Sequence, residues 1–143
     1  MIRIRHTGLV TKNLKESLFF WNKVLNFKIK KRAIESGALI DMIMEYKSAK
    51  VETVKLADTS GVLLELLYFI NAPIKKKSRI RPYSNGFTHI SLTVKDIKKT
   101  YKKLRKLKIK FNSKPSKSSD GSVLMTYCKT PEGAYLELVE ELI

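Results

Sequence analysis

The sequence predicts an α+β fold made of two tandem βαβββ modules, and three observations support this prediction. Residues 6–17, HTGLVTKNLKES, match residues 89–100, HISLTVKDIKKT, at an offset of 83. Residues 58–67, DTSGVLLELL, match residues 130–139, TPEGAYLELV, at an offset of 72. In both copies the apolar spacing changes from the two-residue period of a strand to that of a helix face and back. We therefore expect the two sheets to join into one curved mixed sheet, with the helices outside and a cleft between the modules.

The first module, residues 1–70, begins with a strand near 2–10 that leads to a helix near 14–25. Asn13 lies at the position expected for a helix N-cap. The side chain of Glu16 is placed to accept a hydrogen bond from the backbone amide of Asn13, which would complete a capping box. The two repeat offsets differ by eleven residues, which the first module carries as an insertion within 34–50. This insertion predicts a short additional helix. Three strands complete the module, near 27–34, 50–57 and 62–69.

The second module, residues 86–143, repeats this order after a linker, residues 71–85, that holds two prolines and five basic residues. Asp96 is expected to cap its helix. The segment NSKPSKSSDG, residues 112–121, is expected to be an exposed loop. The whole chain, 1–143, is expected to form one domain. The predicted elements of the second module are a strand near 87–94, a helix near 97–107, and strands near 109–112, 122–129 and 134–140.

The composition indicates a globular protein. Hydrophobic residues make up 43% of the 143 residues, which is enough for a core. No stretch approaches the roughly 20 apolar residues of a membrane helix. The N-terminal residues lack the features of a signal peptide, so we expect a cytoplasmic protein. The single cysteine, Cys128, excludes an internal disulfide and a cysteine-based zinc cage, and we interpret it as a half-buried strand residue.

The formal net charge of +16 is the most pronounced global feature. A polyanion such as nucleic acid is one partner that this charge would suit. However, lysine outnumbers arginine 23 to 6, the lysines are scattered, and the arginine–aromatic interleaving that serves base stacking is missing. The sequence therefore disfavours nucleic acid, while an anionic small substrate stays open.

The strand pattern places one histidine and one glutamate on the same face of each module. Because successive strand residues alternate faces, His6 points away from Leu9, which faces the helix. The same alternation turns Glu65, His89 and Glu137 away from the leucines and isoleucine that flank them. Repeat symmetry then predicts that these four polar residues line the cleft together.

Each of these residues alone has an ordinary interpretation. A strand histidine is usually a core or surface residue, and a strand glutamate usually pairs with a lysine. Together, however, the only two histidines of the chain occupy equivalent positions, and each is matched with a glutamate whose burial is costly without a compensating charge. One divalent metal (Zn, Ni, Co, Mn or Fe) accounts for both pairs, whereas calcium prefers oxygen ligands alone.

The motifs HTGLVTKNLKESLFFWNKVLNF, GVLLELL, GFTHISLTVKDI and TPEGAYLELVE resemble the vicinal oxygen chelate superfamily. This superfamily includes glyoxalase I, methylmalonyl-CoA epimerase, extradiol dioxygenases, fosfomycin resistance enzymes and bleomycin-binding proteins. The resemblance covers nearly the whole chain and implies paired βαβββ modules with a metal in the cleft. It also implies that the metal ligands are His6, Glu65, His89 and Glu137.

The resemblance further implies an isomerase or lyase. Glyoxalase-type and epimerase-type members use a carboxylate or amide at the Glu65 position, whereas extradiol dioxygenases resemble sites with two histidines and one carboxylate. The implied reaction is proton transfer next to a metal-chelated carbonyl of a small substrate with neighbouring oxygens. By resemblance Glu137 is the catalytic base, and Glu65 is the second candidate for a proton carrier.

Two departures from the family concern the substrate. Val10 and Phe69 stand where we would look for the residues that hold glutathione in glyoxalase I, so glutathione is not supported. Basic residues of the linker could attract the phosphates of a CoA ester, although a solvated linker is the simpler explanation. Family members often dimerise, so the resemblance also implies a homodimer. The basic residues are Lys75, Lys76, Lys77, Arg79 and Arg81.

Three alternatives to a metal-dependent isomerase or lyase stay open. One is an Fe(II)-dependent dioxygenase that uses His6 or His89 together with Glu137. Another is a metal-free protein of the same fold that binds or sequesters a small molecule. The third is nucleic acid binding through the basic surface. The sequence names neither the substrate nor the native metal.

Overall fold

The computed structural model describes residues 1–72 and 79–142. The chain divides into two compact units whose boundary falls between residues 76 and 77. We refer to residues 1–72 as module 1 and to residues 79–142 as module 2. Each module holds one four-stranded mixed sheet, which confirms the predicted α+β fold with two tandem βαβββ modules. Across both modules, none of the described helices has the length and apolar character needed to cross a membrane.

Module 1 has the strand order β1-β4-β3-β2, in which β1 runs parallel to β4 and the other neighbours are antiparallel. The additional helix predicted within 34–50 is present as α2. The elements are β1 (Thr7–Val10), α1 (Leu14–Leu18), a π-helical segment (Phe19–Val24), β2 (Lys28–Ser36), α2 (Ala38–Met44), β3 (Lys50–Ala57) and β4 (Leu63–Phe69).

The first strand is shorter than predicted, because it begins at Thr7 rather than near residue 2. In the parallel register Thr7 already lies opposite Leu64, at the start of β4. Residues before Thr7 have no partner strand within 1–72 and 79–142, since the chain before β4 is a turn in which the carboxylate of Asp58 accepts the amide of Val62 at 2.9 Å. His6 therefore lies just before β1.

The first helix has the predicted extent but changes its geometry. Its first part is α-helical, and from Phe19 to Val24 it is π-helical, with the amide of Leu25 donating to the carbonyl of Phe20 at 3.0 Å. Hydrogen bonds between residues five apart, rather than four, widen each turn of the helix. Apolar spacing in the sequence does not distinguish the two forms, because the buried side chains include Phe20 and Trp21 in either case.

The N-cap prediction for this helix is correct for Asn13 and wrong for Glu16. The Asn13 side chain accepts the amide of Glu16 at 3.1 Å. The amide of Asn13 itself donates to the Thr11 hydroxyl at 3.0 Å, so Thr11 makes the return contact expected of Glu16. Thr11 also accepts the Ser17 hydroxyl at 2.7 Å, which ties the loop to the helix in the buried layer.

Module 2 repeats the topology with the order β5-β8-β7-β6, in which β5 is parallel to β8. Asp96 caps the helix as predicted, accepting the amide of Lys99 at 2.9 Å. The elements are β5 (His89–Thr93), α3 (Ile97–Lys106), β6 (Ser116–Lys117), β7 (Val123–Lys129) and β8 (Tyr135–Glu141).

The strand predicted at 109–112 is wrong. Only an isolated bridge between Phe111 and Cys128 forms there, and the outer strand is β6, inside the segment predicted as an exposed loop. The Thr126 hydroxyl donates to the carbonyl of Ser113 at 2.7 Å, and Pro115 has no amide to give. These two features interrupt the ladder between Phe111 and β6.

Each module buries its own apolar layer between helix and sheet. In module 1, Trp21, Val54, Leu56 and Leu66 are fully buried. The equivalent layer of module 2 contains Cys128, which is also fully buried, so its interpretation as a half-buried residue is wrong. The other fully buried side chains of this layer are Ile97, Leu104, Leu136 and Leu138.

Candidate metal centre

The first candidate pair, His6 and Glu65, is in direct contact on the sheet face opposite the helix. Glu65 lies between Leu64 and Leu66, which are buried under the helix, so its side chain points to the other face. His6 Nε2 lies 2.9 Å from Glu65 Oε2. Both side chains are partly shielded, with 27% and 13% of their surfaces exposed.

Lys55 is a second partner of Glu65. It lies directly opposite Glu65 in the antiparallel register of β3 and β4, and its Nζ is 3.5 Å from Glu65 Oε1. Opposite charges in directly facing strand positions attract each other. Glu65 is therefore partly neutralised by a lysine, as the ordinary interpretation of a strand glutamate anticipated.

The second candidate pair, His89 and Glu137, is looser. His89 Nε2 lies 3.8 Å from Glu137 Oε2, which is too far for a hydrogen bond. The other ring nitrogen, Nδ1, is 3.1 Å from the Thr88 hydroxyl. His89 is the more exposed histidine, at 40% of its side-chain surface.

Tyr127 takes the place beside Glu137 that Lys55 takes beside Glu65. It lies directly opposite Glu137 in the register of β7 and β8, with its hydroxyl near that carboxylate. Its ring meets the ring of His89 edge-on, with 5.4 Å between centroids. Burial, and then the nearby negative charge of Glu137, raise the pKa of Tyr127, so the phenol stays protonated at neutral pH.

The register shows that the two pairs are equivalent. Gly8, two residues after His6, lies opposite Glu65, and Ser91, two residues after His89, lies opposite Glu137. Lys55 and Tyr127 are related by 72 residues, the offset that also relates the two glutamates. The modules thus repeat the histidine and glutamate positions and differ in the residue that accompanies the glutamate.

Each pair has the donor types and the spacing of half a metal site. Two ligands bound about 2.1 Å from one cation lie roughly 3.0–3.4 Å apart, close to the 2.9 Å and 3.8 Å found here. His6 Nδ1 is buried and has no hydrogen-bond partner among the described residues, whereas Nε2 faces Glu65 and is the nitrogen placed to hold a cation. The residues of each module therefore fit a divalent cation in chemistry, although Lys55 competes for Glu65.

The structure brings the predicted ligands together in pairs, His6 with Glu65 in module 1 and His89 with Glu137 in module 2. Residues 1–72 and 79–142 contain no group of three or more histidine, cysteine, aspartate or glutamate side chains that could hold a metal ion. The four-residue site accordingly stays a prediction. Among the basic linker residues, Arg79 and Arg81 are exposed, whereas Lys75, Lys76 and Lys77 lie outside the described residues.

Sequence reasoning missed Lys55 and Tyr127. Their offset of 72 could have identified them as equivalent positions, because it is the offset already found for the two glutamates. Their contact with the glutamates, however, depends on the antiparallel register of β3 with β4 and of β7 with β8, which the repeat alone does not define.

Comparisons with known proteins agree with this architecture. The model of the Glyoxalase/Bleomycin resistance protein/Dioxygenase superfamily matches residues 3–138. A glyoxalase family protein from Bacillus cereus has a TM-score of 0.89 at 22% identity, with 100% of this chain and 96% of that chain covered. A trypanothione-dependent glyoxalase I from Leishmania major has a TM-score of 0.66 at 21% identity, with coverages of 99% and 88%.

A curated relative, the uncharacterized protein YwbC of Bacillus subtilis (strain 168), is 22% identical over 138 residues, covering 96% of this chain and 97% of its own. At these identities the solved structures are informative about the fold alone. The family model, in contrast, spans nearly the whole chain and both βαβββ modules. The chain therefore belongs to the Glyoxalase/Bleomycin resistance protein/Dioxygenase superfamily.

Proposed function

We propose that the protein is a metal-dependent isomerase or lyase that moves a proton next to a carbonyl of a small substrate with neighbouring oxygens. The observation that carries this proposal is the equivalence of the His6–Glu65 and His89–Glu137 pairs, each on the sheet face turned away from its helix. The glyoxalase I of Leishmania major, whose fold this chain shares, supports the same reaction class.

In this proposal His6, Glu65, His89 and Glu137 hold one divalent cation, with zinc, nickel, cobalt, manganese and iron as the candidates. When bound, the cation supplies a Lewis acid that lowers the energy of negative charge developing on the substrate. The histidines serve as anchors through their imidazole nitrogens. The chain's own carboxylates are left to carry the proton.

Glu137 is the proposed proton carrier rather than Glu65. Lys55 lies 3.5 Å from Glu65, and this ion pair holds the Glu65 carboxylate in place. Glu137 faces the hydroxyl of Tyr127, a neutral group that can donate a hydrogen bond but brings no positive charge. This difference assigns unequal roles to two glutamates that the repeat makes equivalent in position.

Metal analysis of the purified protein tests the proposal. We expect about one transition metal per chain and a rise in Tm on adding the metal, because a ligand that binds only the folded state stabilises it. The double variant H6A/H89A should lose both effects. Ser91→Ala, an exposed change on the same strand as His89, should retain them. Metal content that is unchanged in the double variant would contradict the proposal.

A second candidate function is favoured by the Lys55–Glu65 contact. If Glu65 is committed to Lys55, the remaining set is His6, His89 and Glu137, two imidazoles and one carboxylate, which suits Fe(II) and oxygen chemistry. The Glu65→Leu variant distinguishes the candidates. Metal content should fall in this variant if Glu65 is a ligand, whereas unchanged iron content together with oxygen consumption on catechols would favour a dioxygenase.

A further inference from the structure

Module 1 contains a groove on the helix side of its sheet. The groove has a volume of about 820 Å³, within the roughly 300–1,000 Å³ usual for small-molecule sites. It lies between the first helix and β2, and it is open to solvent. Leu18, Phe19 and Ile29 provide apolar surface there, and Phe19 and Ile29 are exposed at 52% and 45%.

The groove is on the opposite sheet face from the His6–Glu65 pair. Ile29 and Arg32 of β2 lie opposite Leu56 and Val54 of β3, both fully buried under the helix. Lys55, between them in sequence, points to the other face and contacts Glu65. A molecule in the groove would therefore not touch the candidate metal ligands of module 1.

The equivalent space in module 2 is filled by two aromatic rings. Tyr101 corresponds to Leu18 at the offset of 83. Phe111 corresponds to Ile29, because it pairs with Cys128, the counterpart of Leu56. The ring centroids of Tyr101 and Phe111 lie 4.6 Å apart, so this pair connects α3 to the segment that contains Phe111. In module 1 the same two positions hold smaller aliphatic side chains, which accounts for the opening.

The rim of the groove is basic. Lys12, Lys15, Lys23 and Arg32 line it, while Glu52 is the acidic residue there and bonds to Arg32. Within the described residues, no carboxylate forms an ion pair with Lys12, Lys15 or Lys23. Apolar surface flanked by lysines suits an apolar chain whose head group is an anion.

We propose that this groove binds a single-chain amphiphile with an anionic head group, with the chain against Leu18, Phe19 and Ile29 and the head among the lysines. A second copy of the chain is disfavoured as the occupant, because the chain carries a net charge of +16 and the groove rim is itself positive. The proposal is independent of the metal site.

Titration with sodium dodecanoate below its micelle-forming concentration, followed by calorimetry and by amide NMR shifts, tests this proposal. We expect saturable binding with shifts confined to the groove residues of module 1. Dodecyl phosphate should bind as well, and dodecyltrimethylammonium should not. Equal binding of the cationic analogue, or shifts that map to module 2, would overturn the proposal.

Two variants target the groove in different ways. L18Y/I29F copies the aromatic pair of module 2 into module 1, and K15E/K23E reverses charge without touching the packing. Each should weaken dodecanoate binding by about tenfold or more, while K98E/K102E, a charge reversal on exposed positions of α3, should not. Undiminished binding in a folded L18Y/I29F protein would overturn the proposal.

Two controls separate this site from other possibilities. H6A/H89A should bind dodecanoate as the unaltered protein does, so failure of the proposed metal site leaves this result unaffected. Sedimentation analysis of L18Y/I29F should show the same oligomeric state as the unaltered protein. A change of oligomeric state on filling the groove would identify it as a protein–protein interface and contradict the amphiphile.

Discussion

Lys55 and Tyr127 show how two equivalent residues can give two similar sites different properties. Both lie directly opposite a glutamate in an antiparallel strand pair, and both contact that glutamate. A lysine brings a full positive charge, whereas a phenol brings one hydrogen bond. The half-sites therefore share their histidine and glutamate positions but not their charge.

The two histidine–glutamate pairs were predictable from the sequence, and the residues that accompany the glutamates were not. The repeat places His6 and His89 at matching positions and pairs each with a glutamate, and the structure shows both contacts. Lys55 is one of 23 lysines, so its type alone does not single it out. Only the strand register assigns it to Glu65.

At the same scale, Cys128 gives a prediction for the dependence of stability on pH. Burial raises the pKa of the Cys128 thiol from 9.0 to about 12. Between these values the unfolded chain has lost a proton that the folded chain retains, so this thiol's contribution to the free energy of unfolding falls as pH rises through that range.

Urea unfolding of the protein and of Cys128→Ala at about pH 8 and about pH 10 measures this contribution. We expect the stability advantage of the cysteine over the alanine to shrink at the higher pH, with all other titrating groups common to both proteins. An advantage that stays constant or grows with pH would show that the thiol is not held neutral by burial.

At the scale of elements, the repeat predicts the order of helices and strands, and local chemistry decides where they depart from it. The strand at 50–57 follows the repeat, the helix inserted within 34–50 follows from the difference between the two repeat offsets, and both are present. The outer strand of module 2 departs because Thr126 and Pro115 interrupt its ladder. The π-helical segment differs from the prediction because its hydrogen-bond spacing cannot be recognised from the spacing of apolar residues.

The contact between the Tyr101 and Phe111 rings predicts an unequal response of the two modules to equivalent substitutions. Phe111→Ala removes a half-buried ring that packs on Tyr101, so it should lower the free energy of unfolding by about 2 kcal/mol. The matched change in module 1, Ile29→Ala, removes a side chain that is 45% exposed, and it should cost less than about 1 kcal/mol.

Urea denaturation with the slope held common to all proteins gives both values. Tyr101→Leu, which places the module 1 residue in module 2, is a third member of the series and should fall between them. Equal decreases in the free energy of unfolding for Phe111→Ala and Ile29→Ala would mean that the contact between Tyr101 and Phe111 does not stabilise the packing of Phe111 against α3.

At the scale of the whole molecule, the charge balance dominates the electrostatics. Pairing every acidic residue would still leave 16 of the 29 basic residues without a partner, because only 13 aspartates and glutamates are present. Repulsion among like charges disfavours a compact state, and added salt screens it. The fold tolerates this charge because each module buries its apolar layer away from it.

We therefore expect Tm to rise by roughly 3 °C or more when NaCl is increased from about 10 mM to about 150 mM, which shortens the screening length from about 30 Å to about 8 Å. Differential scanning calorimetry measures this change. K98E/K102E, which lowers the net charge by four, should show a smaller rise. A Tm that falls with salt would indicate that attractive ion pairs outweigh the repulsion.

The position of β8 in its sheet has a consequence for how the chain is made. This strand is the last of module 2 in sequence, yet it pairs with both β5 and β7. During translation the ribosome releases the strands of module 1 in full before it completes module 2. β4 has the same position in module 1, between β1 and β3, so each module exposes two strands without their shared partner until its own last strand, Leu63–Phe69 or Tyr135–Glu141, emerges. Chaperones that act on nascent chains would accordingly meet each half of this protein in an unfinished form, first module 1 and then module 2.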